Sequence, residues 1–411
     1  MIANRKLVFI NRFFYPDHSA TSQLLTDLAF TLAKDNLGGV FIITSRQKYD
    51  SPNAGLKPME IVHGVTIVRV WTSRFGRGSI FGRAVDYLTF YFSAIISMFK
   101  IVGKNDIVVA KTDPPMISAA AWIVTTIKRA RLVNWLQDLF PEVAMALNVP
   151  FVTGFPYRIL KIIRNKSLAS ATTNVTIGEQ MARRVKSEVP NASVRIIHNW
   201  QNGTAIKPIA LEECTLRERW KLVDSFVVGY SGNLGRGHDY NTIADAAELM
   251  INDDDTRFLF VGGGAKLATL KNHVAARKLP NFVFHNYQPT EKLAECLAVP
   301  DIHLISLKPE LEGLMVPSKL YGILAAGRCV IFIGDVHGEI ANLLEQYNIG
   351  FSVEESNSRQ LAEKIRLLRD TPKLRTQLNV NARKLFDDHL NRRSALDNWR
   401  FLIAEIDNLN P

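Results

Sequence analysis

"YSGNLGRGHDYNTIADAAELM", Tyr230 to Met250, is the stretch on which the fold turns. An apolar run from Phe226 to Tyr230 enters it, Gly232, Gly235 and Gly237 bend it around Arg236, and amphipathic helical spacing leaves it. Strand, glycine-rich turn and helix form the opening unit of a parallel βαβ layer. Such a junction offers unpaired backbone N–H groups and the positive end of a helix dipole, so a phosphate is the expected ligand.

The same alternation extends in both directions. Downstream, apolar runs at 225–230, 257–261, 281–285, 302–307, 329–333 and 350–353 alternate with helical patterns; upstream the runs lie at 7–13, 40–44, 65–70, 107–110, 132–136, 171–177 and 195–198. Two series of this kind predict an α/β chain with two doubly wound parallel sheets. The polar stretch 194–209, with Gly203 and Pro208, reads as a hinge, which divides the chain into 1–200 and 201–390. Leu385, Phe386, Leu390, Leu396, Trp399, Leu402 and Ile403 recur at helical spacing in the tail, and residues 391–411 are expected to pack back on the first domain.

With 411 residues, 47% of them hydrophobic, the chain is long enough for two cores. Its three cysteines, Cys214, Cys296 and Cys329, lie far apart without a CxxC pair, which suggests a reducing compartment and no structural metal. The N-terminus lacks the apolar core of a secretory signal and reads as a first strand from Lys6 to Phe14, so a cytoplasmic protein is expected. The longest apolar segment, Val85 to Phe99, carries Asp86 and falls short of the roughly 20 residues needed to cross a bilayer.

The net charge of +11 is unevenly placed. Residues 1–200 hold 25 Lys and Arg against 12 Asp and Glu, and residues 201–411 hold 25 against 27. A basic first half implies an anionic partner there, whether nucleic acid, acidic substrate or membrane leaflet, unless the charge serves solubility alone.

In open α/β sheets ligands bind beyond the carboxyl ends of the strands. In the second half the segments following the strands are "SGNLGRGHD", "GGGAK" (262–266), "NYQPTEKL" (286–293) and the stretch 306–327. In the last, Val316 and Pro317 precede Ser318, Lys319 and Leu320 at a second helix start. A diphosphate held between Arg236 and Lys319 would have both charges matched. Gly263, inside the triple glycine, either approaches this ligand or only permits a tight turn.

These segments, with "FLFVGGG", "NFVFHNYQPTEKL", "VPSKLYGILAAGRCVIF" and "GDVHGEIANLL", resemble the donor-binding domain of glycosyltransferase family 4. "FFYPDHSATSQLLTDLAFTLAK" (13–34) and "NWLQDLFPE" (134–142) resemble its acceptor domain, especially in members assigned to fucosyl or N-acetylfucosaminyl transfer in capsule, O-antigen and colanic-acid assembly. The similarity runs from residue 6 to residue 390. It implies a GT-B fold, that is, two Rossmann-like domains facing a cleft with a C-terminal helix crossing back, together with a nucleoside-diphosphate-sugar donor and no required metal or other cofactor.

By that resemblance Arg236 and Lys319 contact the diphosphate, with Gly232 and Asn233 in the same turn. Asn286 and Tyr287 flank the nucleobase, and Ser19, Ala20 and Thr21 stand where a glycine-rich loop of the first domain usually approaches the donor. The usual ribose-binding glutamate is absent, because Gly322 occupies its position; Glu339 or Glu312 would substitute. A retaining enzyme can let the leaving diphosphate take the acceptor proton, whereas an inverting one needs a base, for which Asp138 or Glu142 is the candidate.

The stretch from Val70 to Lys100 combines Arg74, Arg77, Arg83 and Lys100 with eight aromatic residues. It reads either as a contact with the anionic inner leaflet or as a core helix behind a basic loop. The expected activity is sugar transfer to a polyprenyl-linked or polysaccharide acceptor, the sugar being a 6-deoxyhexose or an N-acetylated aminosugar. A nucleotide-sugar epimerase of the same shape is the alternative enzyme. A nucleic-acid-binding protein is the remaining class, and the chain lacks any recognisable module for it.

Overall fold

A computed structural model of the chain describes residues 5–35, 39–51, 53–76 and 80–409; Arg77 and the first four residues lie outside them. The chain divides into two compact units, one running to His198 and resumed from Ala395, the other from Asn199 to Ser394.

The first unit holds β1 (Leu7–Ile10), β2 (Val40–Ser45), β3 (Met59–Val62), β4 (Val65–Val70), β5 (Ile107–Lys111), β6 (Arg131–Trp135), β7 (Thr173–Thr176) and β8 (Val194–Ile196). They form one sheet in the order β3-β4-β2-β1-β5-β6-β7-β8. β1 and β5 are buried along their whole length, as parallel strands covered by helices on both faces must be. β3, absent from the apolar runs of the sequence, pairs antiparallel with β4 at the sheet edge. The two are joined through His63 and Gly64, both at positive φ as a tight hairpin turn requires.

The helices of this unit are α1 (Ala20–Lys34), α2 (Ile80–Ile101), α3 (Ile117–Lys128), α4 (Glu142–Ala146), α5 (Gly154–Ser170) and α6 (Glu179–Glu188). α2 exceeds the apolar run that marks it, and Phe81–Ile101 is, among the described residues, the one helix long and apolar enough to cross a membrane. One face of it nevertheless belongs to the core, with Phe90, Ala94 and Met98 fully buried. Asp86 is buried on the inner side, where it accepts hydrogen bonds from Arg12 Nη2 (3.2 Å), Ser73 Oγ (2.6 Å) and the N–H groups of Phe75 and Gly76. Four donors offset the cost of burying that carboxylate, and together they pin the loop after β4.

The second unit contains β9 (Phe226–Asn233), β10 (Thr256–Gly263), β11 (Phe282–His285), β12 (Ile302–Ser306), β13 (Val330–Ile333) and β14 (Gly350–Val353). All are parallel, in the order β11-β10-β9-β12-β13-β14. Its helices are α7 (Thr215–Arg219), α8 (Asn241–Leu249), α9 (Leu267–Ala276), α10 (Leu293–Ala298), α11 (Lys319–Ala325), α12 (Glu339–Tyr347), α13 (Ser358–Asp370) and α14 (Pro372–Leu385).

The last helix, α15 (Arg392–Asn408), returns to the first unit. There Trp399 is fully buried with its ring 4.7 Å from that of Trp135, and Leu402, Ile403 and Ile406 bury beside it. Arg5 pairs with Asp407 (3.1 Å) and Arg195 with Glu405 (2.8 Å).

Strand order reverses between β1 and β5 in the first sheet and between β9 and β12 in the second. At such switch points the loops diverge and leave a crevice for a ligand.

Candidate functional site

At the switch point of the second unit the loop after β9 is laced to both neighbours. Leu234 N donates to Gly263 O (2.7 Å), Lys266 N to Leu234 O (3.0 Å), and Lys308 N to Gly237 O (3.0 Å). Gly232 takes φ +110°, and a Cβ there would meet nothing within 4 Å, so the turn needs glycine and leaves open space beside it. Asn233 and Arg236 are exposed on this loop, and Arg236 makes no hydrogen bond or ion pair with the described residues.

Beneath lies Lys319. Its Nζ is shielded from solvent, finds no hydrogen-bond partner among the described residues, and stands 3.6 Å from the centre of the Tyr230 ring. Burial pulls its pKa well below the ordinary 10.5. Beside it, His238 Nδ1 donates to the Ser306 carbonyl, and burial, followed by the charge of Lys319, lowers the imidazole to about 4. His238 is therefore neutral near pH 7, which leaves Lys319 as the buried basic group of the crevice. An ammonium held out of water without a counter-charge is costly, and an anionic ligand would relieve it.

The helix starts around this crevice differ from the sequence expectation. At α8 the carboxylate of Asp239 accepts from the N–H groups of Asn241 (3.1 Å) and Thr242 (3.0 Å), so the chain's own anion already fills the seat assigned to phosphate. At α12 Glu312 accepts from Glu339 N (2.8 Å), and burial raises its pKa. That bond commits Glu312 to capping, and Glu339 is itself buried, so neither of them extends an open carboxylate for a ribose. α11 is only seven residues long; Leu320 is fully buried, with its N–H directed at the Pro317 carbonyl (3.3 Å). Pro317 is buried as well, and Ser318 is exposed at the helix start. The groups left open toward an anion here are Arg236, Lys319 and the turn itself.

The triple glycine is explained by packing. A Cβ on Gly262 would come 2.3 Å from the Gly232 carbonyl oxygen and one on Gly264 2.4 Å from that of Leu234, at φ +138° and +125°. These contacts let the ends of β9 and β10 approach closely. At Gly263 a Cβ would reach within 2.8 Å of the Tyr287 ring, which lies, exposed like Asn286, at the mouth of the crevice.

In the first unit the switch point joins the loops after β1 and β5, where Arg12 N donates to the Asp113 carbonyl (2.6 Å). The resemblance implies a Ser19 hydroxyl offered to the donor, but its Oγ and N–H (2.8 Å) both donate to Asp17, which also accepts from Tyr49 N and so fixes the residue before α1. Ala20 opens that helix, and the carbonyl of Thr21 accepts from Lys111 Nζ (2.9 Å). Lys111 is fully buried over the Trp135 ring, and burial holds its pKa far below 10.5.

The two carboxylates of "QDLFPE" separate clearly. Glu142 is buried against Arg164 and Lys161, which also engage Glu188, and thereby ties α4 to α5 and α6. A carboxylate so held is a structural anchor rather than a base. Asp138 accepts no hydrogen bond from the described residues, and burial, followed by the nearby Asp113 charge, raises its pKa to about 6. Among the described residues no group of His, Cys, Asp and Glu has the arrangement of a metal centre.

Residues 215–385, which hold this crevice, match the family of glycosyl transferases group 1. Over 287 residues the chain is 25% identical to WbjE of Pseudomonas aeruginosa, assigned as a glycosyltransferase, covering 69% of this chain and 70% of that one. The chain is a glycosyltransferase similar to the group 1 family. This glycosyltransferase is also 24% identical over 304 residues to WcaI of Escherichia coli (strain K12), assigned to colanic acid biosynthesis, with 72% and 74% covered. Its fold matches sucrose-phosphate synthase of Thermosynechococcus elongatus (TM-score 0.76, 13% identity, 98% of this chain and 99% of that one). It also matches Anabaena HepE, solved with UDP and glucose (TM-score 0.72, 14% identity, 98% and 100%). The fold is GT-B.

Sequence reasoning missed several residues of this glycosyltransferase's crevices, Asp239, Asp113 and Lys111, whereas His238 is the turn or cleft residue its position suggests. Asp239 had a local signal, an Asp two residues before a helix start. Lys111 had none, because its partner lies ninety residues away in the chain.

Proposed function

We propose that the enzyme moves a sugar, a 6-deoxyhexose or an N-acetylated aminosugar, from a uridine-diphosphate donor to a lipid-linked or polysaccharide acceptor in cell-surface glycan assembly. The carrying observation is the buried, unpartnered ammonium of Lys319 beside the unpaired guanidinium of Arg236 at the switch point of the second unit. Two cations suit a diphosphate, and their charge on the leaving group is the principal contribution to rate. Asn286 and Tyr287 frame the base, and no metal takes part in this reading. The WcaI and HepE likenesses support the glycan context and the uridine nucleotide respectively.

On the acceptor side Asp138 takes the hydroxyl proton as the oxygen bonds to the anomeric carbon and the diphosphate departs with the electron pair of the broken bond. Its raised pKa and lack of partners support that role; Glu142 is excluded by its ion pairs. The enzyme works at the cytoplasmic face of a membrane. Calorimetric titration of UDP and GDP into the wild type and Arg236→Ala, with and without divalent metal, tests the donor site. Metal-independent binding of UDP that is lost in the variant is expected; binding of neither nucleotide would overturn it.

A further inference from the structure

One face of the first unit carries large apolar side chains that none of the described residues covers. Along α2, Phe81, Leu88, Phe92 and Ile96 follow one another at helical spacing, and Phe81 and Phe92 are 79% and 69% exposed. The opposite side of the same helix is core, so α2 is apolar all round, a pattern suited to a helix with a nonpolar medium on both sides. α3 packs between α2 and α5 and adds Ile123 and Ile127 to the outer face. α5 contributes Phe155, Ile159 and Ile162, three and four residues apart, while its inner side holds Arg164 against Glu142. The sequence signals only the α2 part; the extension over α3 and α5 comes from packing.

Charge indicates what would cover such a face. The three helices hold seven Lys or Arg and a single acid, Asp86, which is turned inward and bonded to Arg12. Of these cations Lys161 and Arg164 pair with Glu142 and Glu188, while Lys100, Arg158 and Lys166 are exposed, so outward the helices present cations without carboxylates. We infer that the outer faces of α2, α3 and α5 form one docking surface for an anionic lipid monolayer. Apolar burial and attraction to negative headgroups act together there. A second copy of the chain would bring the same cations against them, so charge disfavours a dimer through this face.

The surface also has a direction. α2 and α3 leave the carboxyl edge of the sheet directly after β4 and β5, and α5, after α4, completes the crossover from that edge of β6 to the parallel β7. Phe75, Phe81, Phe151 and Phe155, all strongly exposed, thus mark the edge on which Asp138 lies. Lipid docked along these helices meets the acceptor side of the site. This point deepens, and rests on, the proposal of a lipid-linked acceptor.

The test is co-sedimentation of the full chain with phosphatidylcholine vesicles, with and without phosphatidylglycerol, for wild type, Phe92→Glu on α2, Ile159→Glu on α5 and Arg158→Glu. Binding that needs phosphatidylglycerol and falls roughly fivefold or more in each variant is expected. Melting temperature and UDP affinity, measured on the same samples, stay at wild-type values, so a failed donor site and a failed docking surface give different results. Wild-type binding to neither vesicle, or an Ile159→Glu variant that binds as wild type, would overturn the three-helix surface. So would lipid-free self-association, seen by sedimentation velocity, that Phe92→Glu abolishes.

Discussion

Lys319 poses a charge problem that its own surroundings do not solve, since its ammonium faces an aromatic ring and no carboxylate. A nucleoside diphosphate would solve it, and Lys319→Ala or Arg236→Ala should each weaken UDP binding by about 1.5–3 kcal/mol, the range for hydrogen bonds to charged groups. Unchanged affinity in both would remove the phosphate assignment. The lowered pKa carries its own sign: burial favours the neutral amine in the free enzyme, and a bound anion favours the ammonium. UDP binding should therefore take up protons at pH values between that lowered pKa and the ordinary 10.5, detected by calorimetry in buffers of different ionisation enthalpy; zero uptake would mean that Lys319 is charged already. Asp138 makes the complementary prediction. As a base with a pKa of about 6 it is active only when ionised, so kcat/KM should rise with pH and level off above that value. Asp138→Asn should lower kcat by roughly a hundredfold or more and abolish that limb of the profile.

At the scale of the element, the starts of α8 and α12 are each closed by a carboxylate, from Asp239 and Glu312. Asp239→Ala should cost about 1 kcal/mol, typical of a lost helix cap, and lower the melting point by about 2–4 °C. Asp239→Asn keeps a capping oxygen and removes the negative charge near the crevice, so it should retain stability and bind UDP at least as well; weaker binding would show that the aspartate itself serves the ligand. The strands were legible because a buried parallel strand must be a continuous apolar run, as at "LVFI" and "VIFI". β3 was not, because half of "MEIV" faces water at the sheet edge. Arg236 and Lys319 were legible as cations beside a glycine turn and a helix start. Their carboxylate neighbours were not: a cap such as Glu312 reaches its helix across 27 residues, a distance no local pattern records.

At the scale of the whole molecule, the two sheets follow from two series of apolar runs, whereas the outer face of α5 was hidden in the sequence. Phe155, Ile159 and Ile162 have the spacing of a core stripe, and only packing reveals that Arg164 faces inward instead. α15 completes the first unit through Trp399 on Trp135, and Trp399→Ala should cost about 3–5 kcal/mol. Hydrogen exchange should then rise across β1, β5 and β6 while β9 to β14 keep their protection; uniform loss in both sheets would contradict that assignment. The route of the chain also has a temporal consequence. A ribosome adding about 5–20 residues per second takes roughly 10–40 s to pass from the end of the first sheet to the final helix. During that interval Trp135 has no Trp399 above it, and the half that is synthesised first is the last to be finished.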